Sequence, residues 1–378
     1  MIRRNFLKTI GGGVILAASG AGLFASSRTP KTALAPWGLA GAYDDPRLNA
    51  LSFAILAPNP HNRQPWIVAL SGEDEFTLFF DTDKQLPHTD PFDRQLTIGL
   101  GCFLELLRMA AAADGYEVNM TLFPEGEDKI GLDQRPIAFA KFTKAAPVID
   151  PLFAHVMSRR SNKEPYDTSR PVAADVLKRI VGVSRHASLG GSVDKDDIAY
   201  WRKLSTNALM IEIETPHTYK ESVDLMRIGK AEVNANPDGI DFSGALFDTL
   251  SMVGIMTRET LLDTNSTVYL EGVKAVTQNT ETAMGHLWMV TEGNTRSDQI
   301  MAGADWLRVN LVCTAEGLGF QPLSQALQEY PEMAELYATT HQRLAPDGGT
   351  VQMLARIGCG PEVPVSPRWP IDAKIGST

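Results

Sequence analysis

The sequence predicts a mixed α+β chain built from two similar half-domains related by a pseudo-two-fold axis. The main observation is an internal echo. Gly99–Tyr116 and Gly303–Phe320 share one layout: a small residue, an apolar helical run, a glycine and an aromatic residue. Aligned without gaps, Gly99 meets Gly303, Leu107 meets Leu311, Ala111 meets Ala315, Gly115 meets Gly319 and Tyr116 meets Phe320. In each, the glycine permits a left-handed helix end and the aromatic residue opens a strand. A second observation is the set of short strand-like runs Phe76–Phe80, Ala138–Phe142 and Val351–Ile357, set among helical patterns. Finally, the repeat is far longer than a solenoid unit.

The elements follow in order. Residues 1–27 form a targeting segment: Arg3-Arg4-Asn5-Phe6-Leu7-Lys8, then the uncharged Gly- and Ala-rich stretch Thr9–Ala25. Basic, then apolar, then small is the order of a removable signal peptide; a permanent N-terminal anchor is the competing reading. Residues 28–44, with Pro30 and Pro36, read as a linker. The first half spans 45–150 and opens with a helix, Pro46–Leu56. The second half spans 151–378, with a helix at Pro171–Val181 and a broken helical stretch from Ile198 to Met226.

Composition narrows the function. The 378 residues have a hydrophobic fraction of 44% and a formal net charge of −10. That balance argues against nucleic acid, which needs a basic footprint, but not against a small phosphorylated ligand. Cys102, Cys313 and Cys359 are far apart and give at most one disulfide and too few thiolates for zinc. The seven histidines are scattered, and HExxH, GxSxG, P-loop and Rossmann motifs are absent. No metal site and no catalytic side chain is predicted.

Three segments carry chemistry. In Ala57–Trp66, Pro58 and Pro60 stiffen the backbone, and Asn62 and Gln64 offer amides suited to one edge of a planar ring. The alternative is a rigid turn that packs Trp66. In Ser158–Lys163, Arg159, Arg160, Ser161 and Lys163 suit a phosphate; the alternative is a solvated basic turn. In Ser366–Pro370, Arg368 is placed to reach the same phosphate. Asp90–Arg94 reads as a turn and helix cap with an internal ion pair, and Asp241–Tyr269 either as a cover over a ligand or as a core helix pair.

Together these segments resemble the nitroreductase family of FMN-binding proteins, in pieces from Asp45 to Ile371. NxQPW occurs here only in the first half and RRS only in the second. The chain therefore resembles the tandem branch, in which two fused halves mimic the family homodimer. The resemblance implies a nitroreductase-like fold, one FMN per chain, and a monomer acting as a pseudo-dimer. It places Arg159, Ser161 and Arg368 at the phosphate and ribityl chain, with Arg160 in the same cluster. Lys163 falls at the pyrimidine edge. Pro58, Asn59, Pro60, Asn62 and Gln64 reach toward the ring, and Pro322, Leu323 and Ser324 lie against it. Asn59 and Pro60 stand where small hydroxyl residues are usual in the family.

The function so implied is two-electron transfer from FMN to a nitroaromatic or quinone-like acceptor; flavin does the redox chemistry and the protein tunes it. The twin-arginine run resembles the signals of the export route for folded proteins, which implies a bacterial, periplasmic or extracellular protein and the export machinery as a partner. NAD(P)H is not expected there, so a quinol or a partner protein is the expected donor. The second reading is an FMN-binding or sequestering protein with little turnover.

Overall fold

The computed structural model describes residues 27–376 apart from Lys129. The targeting segment thus lies, but for Ser27, outside the described residues. The expected α+β class holds. The first half contains helices α1 (Lys31–Leu39) and α2 (Pro46–Ala54), strands β1 (Trp66–Ser71) and β2 (Glu75–Phe80), the long helix α3 (Arg94–Ala113), and strands β3 (Tyr116–Leu122) and β4 (Ala138–Lys144). The second half contains α4 (Ala174–Val181), β5 (Ser188–Ser192), α5 (Lys195–Glu214), α6 (Pro216–Asp224), β6 (Met226–Ile228), α7 (Gly229–Ala235), β7 (Ile240–Phe242), α8 (Ala245–Met252), α9 (Arg258–Leu262) and α10 (Thr267–Glu281). It closes with β8 (Gly285–Thr291), α11 (Arg296–Ala315), β9 (Gly319–Pro322), α12 (Ala334–Leu344) and β10 (Thr350–Gly358).

Each half has a four-stranded antiparallel sheet, in the orders β1-β2-β4-β3 and β5-β8-β10-β9. In both, a long helix follows the second strand in the order and leads into an edge strand. Helices α3 and α11 pack on each other between the sheets. One apolar core joins Val68, Phe76 and Leu78 of the first sheet to Leu287, Met289 and Ala355 of the second through Leu100, Phe103, Leu307 and Leu311. Helix α3 is long and apolar enough to cross a membrane, yet most of it is buried inside the protein, as a core helix is.

The helices touch where glycine allows it. A Cβ on Gly101 would overlap the Ile300 carbonyl and Gly303 Cα, and a Cβ on Gly303 the Ile98 carbonyl and Gly101 Cα. This reciprocity defines the pseudo-two-fold axis and corrects the register read from sequence. Gly101, not Gly99, is the mate of Gly303, and Ile98 is the mate of Ile300. The helix starts agree, Arg94 with Arg296, as do the left-handed glycines after them, Gly115 at φ 81° and Gly317 at φ 69°.

Other boundaries move for physical reasons. Residues 28–44 are not a plain linker: they fold into α1, which buries Ala33, Pro36 and Trp37. Helix α4 starts at Ala174, so Pro171 lies before the helix and not at its first turn. The Ile198–Met226 stretch breaks at Thr215, where Pro216 opens α6. Asp93 occupies the N-cap position of α3 with φ 54°, but it is Asp90 whose carboxylate accepts from the Gln95 and Leu96 N–H groups, at 3.0 and 2.9 Å. The expected internal ion pair gives way to a longer one, Arg94 to Glu329 at 3.1 Å, with Arg94 also donating to the Gln352 and Leu327 carbonyls. Residues 241–269 form β7, α8, α9 and the start of α10 around a small separate cluster of Val223, Ile228, Met256 and Leu261. All three cysteines are free thiols.

The chain ends cross over. Ala33 of α1 accepts from the Arg368 N–H and donates its own N–H to Asn234 in the second half. The C-terminal tail returns to the first half, where Ile375 bridges Val68 of β1 and the Lys374 ammonium donates to the Gln64 carbonyl at 2.7 Å.

Candidate functional site

The site is built on the loop between α2 and β1. Prolines 58 and 60 prevent α2 from continuing. The loop then takes three left-handed non-glycine residues, His61, Asn62 and Gln64, at φ 45°, 52° and 52°. Each such residue costs on the order of 1 kcal/mol. Hydrogen bonds hold this conformation: the Gln64 N–H donates to Asn59 Oδ1 at 2.7 Å, and Asn62 Nδ2 to the Pro367 carbonyl at 3.0 Å. Buried Gln64 donates from Nε2 to the Pro237 carbonyl at 2.7 Å and accepts the Trp369 N–H at 2.9 Å. These amides are therefore committed to the protein rather than offered to a ring edge. They explain why Trp66 is buried here and how the loop grips the C-terminal tail. The loop rests on α3 at Gly99, where an added Cβ would meet Asn59 Cβ at 3.0 Å and Pro60 Cδ at 3.2 Å.

Two arginines converge on this loop from far away in sequence. Arg159, at the start of the second half, donates from Nη2 to the Leu56 carbonyl at 2.9 Å. Arg368, in the tail, donates from Nη2 to the Leu56 and Ala57 carbonyls at 3.0 and 3.1 Å, and from Nη1 to Asn62 Oδ1 at 2.6 Å and Ser366 Oγ at 2.7 Å. Both are nearly fully buried, at 3% and 2% exposure. Among the described residues neither pairs with a carboxylate, and the Nε of each is buried without a hydrogen-bond partner. Burial pushes Arg159 down to about 10, with Arg160 adding to the shift, and lowers Arg368, with Arg159 adding to it. Two cations buried side by side are costly unless an anion joins them.

The other basic residues separate. Arg160 turns aside, its guanidinium 5.2 Å from the Trp37 ring and its Nη1 on the Arg159 carbonyl at 2.7 Å. Ser161 and Lys163 are exposed, while Asn162 between them is buried and donates to the Phe320 and Pro361 carbonyls. This is the alternation of an extended segment along β9. Arg159 and Arg368 are thus the buried members of the basic cluster, and Arg160 shares the Trp37 ring with Arg368, whose guanidinium lies 5.8 Å from it. Lys163 is open to solvent yet its ammonium is disfavoured by surrounding protein, with Asp241 and Glu212 acting in the opposite sense. His61 is held down to about 4 by burial, then by Lys163 and Arg63, so it is neutral at pH 7. His61, Lys163 and Asp241 therefore lie close enough to act on one another's charge.

Pro322 ends β9. Leu323 and Ser324 are buried; the Leu323 N–H donates to the Leu354 carbonyl at 2.9 Å, and Ser324 Oγ accepts the Leu354 N–H at 3.1 Å. Beyond them, Gln328 Nε2 donates to Glu212 at 2.8 Å, while Gln325 Oε1, Gln328 Oε1 and Tyr330 Oη are buried without hydrogen-bond partners among the described residues. Sequence reasoning missed Trp37 and Glu212 as neighbours of this region, whereas Asp241 opens the segment read as a cover over a ligand or a core helix pair. Only the charge of Glu212 within a helical pattern hinted at its place. A shallow depression over Ile67, Phe79 and Asp81 contains none of these groups. Among the described residues no cluster of His, Cys, Asp and Glu could hold a metal.

Burial raises Glu212 to about 7, with Glu221 adding to the shift. Against an unfolded value of about 4.3, the folded state binds the proton more tightly. This contribution to stability is complete below about pH 4.3 and lost as pH rises through about 7. Asp90, also raised to about 7 by burial, acts in the same sense. The denaturation midpoint is expected to fall from pH 5 to pH 8, and Glu212→Gln to flatten part of that slope, worth on the order of 3 kcal/mol at most. Equal slopes for the two proteins would show that Glu212 titrates normally.

No family model matches the chain. An uncharacterized protein of Mycobacterium tuberculosis is 25% identical over 356 residues, covering 86% of this chain and 92% of that protein. A second M. tuberculosis protein, named "Putative NAD(P)H nitroreductase", is 36% identical over 84 residues, covering 22% of this chain and 25% of that protein. Among solved structures, the FMN-dependent nitroreductase NfnB from Mycobacterium smegmatis, in complex with NADPH, is matched with a TM-score of 0.35 at 14% identity, over 58% of this chain and 95% of that one.

Proposed function

We propose that this chain holds one FMN at the junction of its halves and works as a flavin oxidoreductase of nitroreductase type. The observation that supports this reading is the pair of buried arginines, Arg159 and Arg368, each with an unpartnered Nε and no carboxylate among the described residues. A phosphate accepts from such donors and neutralises both cations. The residues fit the group in other respects. Lys163, on the segment that follows Arg159, is placed to favour negative charge on a reduced ring. The backbone of Pro58–Pro60 and of Pro322–Ser324 supplies stiff flanks, and neutral His61 adds no competing charge. Bound FMN supplies the two-electron chemistry; the protein binds, orients and tunes it.

The acceptor class is nitroaromatic or quinone-like. The twin-arginine run Arg3-Arg4-Asn5-Phe6-Leu7-Lys8 supports export by the route for folded proteins. Outside the cytoplasm a quinol or a partner protein replaces a nicotinamide as donor. Because both halves of the site lie in one polypeptide, a monomer suffices. The test is the visible spectrum of the purified chain, followed by heat release and quantitation of the chromophore. About one FMN per chain is expected, since one composite site is built. A colourless protein that also fails to bind added FMN refutes the proposal.

A further inference from the structure

Helix α1 owes its form to what it docks on. It has nine residues, Pro36 lies inside it, and no side chain caps its N-terminus. An isolated helix this short is marginal in water. Its docking partners belong to the arginine site. The Ala33 carbonyl accepts the Arg368 N–H at 2.8 Å, and the Trp37 indole N–H donates to the Ser366 carbonyl at 2.8 Å. The Ala33 N–H in turn donates to Asn234 of α7 at 3.1 Å.

Trp37 is buried and reaches Arg368 by two routes. Its ring lies 5.8 Å from the Arg368 guanidinium and 5.2 Å from that of Arg160. A ring at such a distance attracts a cation, more strongly where water is excluded. Ser366, whose carbonyl the indole holds, also accepts Arg368 Nη1 at its Oγ, at 2.7 Å. The remaining contacts of Arg368 run from Nη1 to Asn62 and from Nη2 to the Leu56 and Ala57 carbonyls. Both Nη atoms are thus spent on the protein. The Nε is left over, buried and without a hydrogen-bond partner among the described residues. A planar guanidinium pinned at both Nη atoms has the direction of its Nε–H fixed, and a hydrogen bond to an anion depends on that direction.

We propose that Trp37 is a positioning residue of the anion site: it holds Arg368 for a phosphate, and so makes the chain prefer a phosphorylated flavin to the same flavin without its phosphate. This inference rests on the FMN reading above. It adds to the site a residue that lies outside the α2–β1 loop, the basic cluster and the tail. Because α1 and the anion share Arg368, docking of the one favours binding of the other, and by the same factor in both directions.

The test compares FMN with riboflavin, which differ by the phosphate alone, in titrations followed by flavin fluorescence. The proteins are the unaltered chain, Trp37→Ala and Trp37→Phe. Trp37→Ala is expected to lose about fivefold or more of the preference for FMN, while its affinity for riboflavin stays nearly as before. Trp37→Phe keeps a ring beside Arg368 but not the indole N–H, so it is expected to lose less of the preference; it decides the question alone if the alanine variant does not fold. An unchanged preference in the variants that fold overturns the proposal. So do equal losses for the two flavins, because a merely structural tryptophan weakens both ligands alike. An unaltered chain that binds neither flavin, or both equally well, refutes the FMN reading itself and this inference with it.

Discussion

Arg368→Ala weakens FMN binding by roughly 10- to 100-fold, measured by quenching of flavin fluorescence on titration. A charge-assisted hydrogen bond to a phosphate is worth about 1.5–3 kcal/mol, and each 1.4 kcal/mol is tenfold in affinity. Arg368 also ties Asn62 and the Leu56 and Ala57 carbonyls, so its removal loosens the loop as well as deleting a cation. Arg159→Ala is expected to behave alike, since its guanidinium meets the same Leu56 carbonyl. The control is Arg160→Ala. Although Arg160 adjoins Arg159 in sequence, it faces Trp37 and backbone carbonyls, so the variant changes affinity less than about threefold, as for surface substitutions worth within ~0.5 kcal/mol. Unchanged affinity in Arg368→Ala, or equal losses in all three variants, would mean that the phosphate is held elsewhere.

The second large effect is mechanical. Gly303→Ala lowers stability by about 3 kcal/mol or more, read as a shift in the urea midpoint. Its Cβ would overlap the Ile98 carbonyl and Gly101 Cα, which are backbone atoms of a buried helix and yield only if the whole helix pair separates. Separation would also lengthen the bond from Cys102 Sγ to the Gly303 carbonyl, now 3.1 Å. The contrast is Gly272→Ala within α10, where an added Cβ meets nothing within 4 Å. There alanine raises stability by roughly 0.5–1 kcal/mol, through helix propensity alone. A Gly303→Ala protein as stable as the parent would show that the helices are not locked at this crossing.

Much of this architecture is visible in the sequence, and the errors have physical causes. The echo of the two long helices is real, but its register was misjudged by two residues because α11 is followed by Gly317-Leu318-Gly319. Both glycines fit the pattern. The left-handed turn chooses Gly317, whereas Gly319 lies in β9, where a side chain would strike the Tyr166 ring. Residues 28–44 read as a linker because prolines usually mark one; Pro36 instead sits inside the short helix α1, which hides Trp37 by packing across the molecule. Asn62 and Gln64 were legible as polar residues of a rigid loop, yet sequence cannot say whether an amide faces a ligand or its own backbone. The same holds for Arg159, Arg160 and Arg368. Their charge is written in the sequence, but that no carboxylate among the described residues pairs with Arg159 or Arg368 follows only from the fold.

The crossing of the chain ends has a consequence for the order of events in the cell. The first half cannot finish its sheet edge until Ile375 arrives, and the arginine pair is incomplete until Arg368 has left the ribosome. A chain that stops before Arg368 therefore holds only one of the two buried arginines, and the partners they share on the α2–β1 loop are complete only when the second half is made.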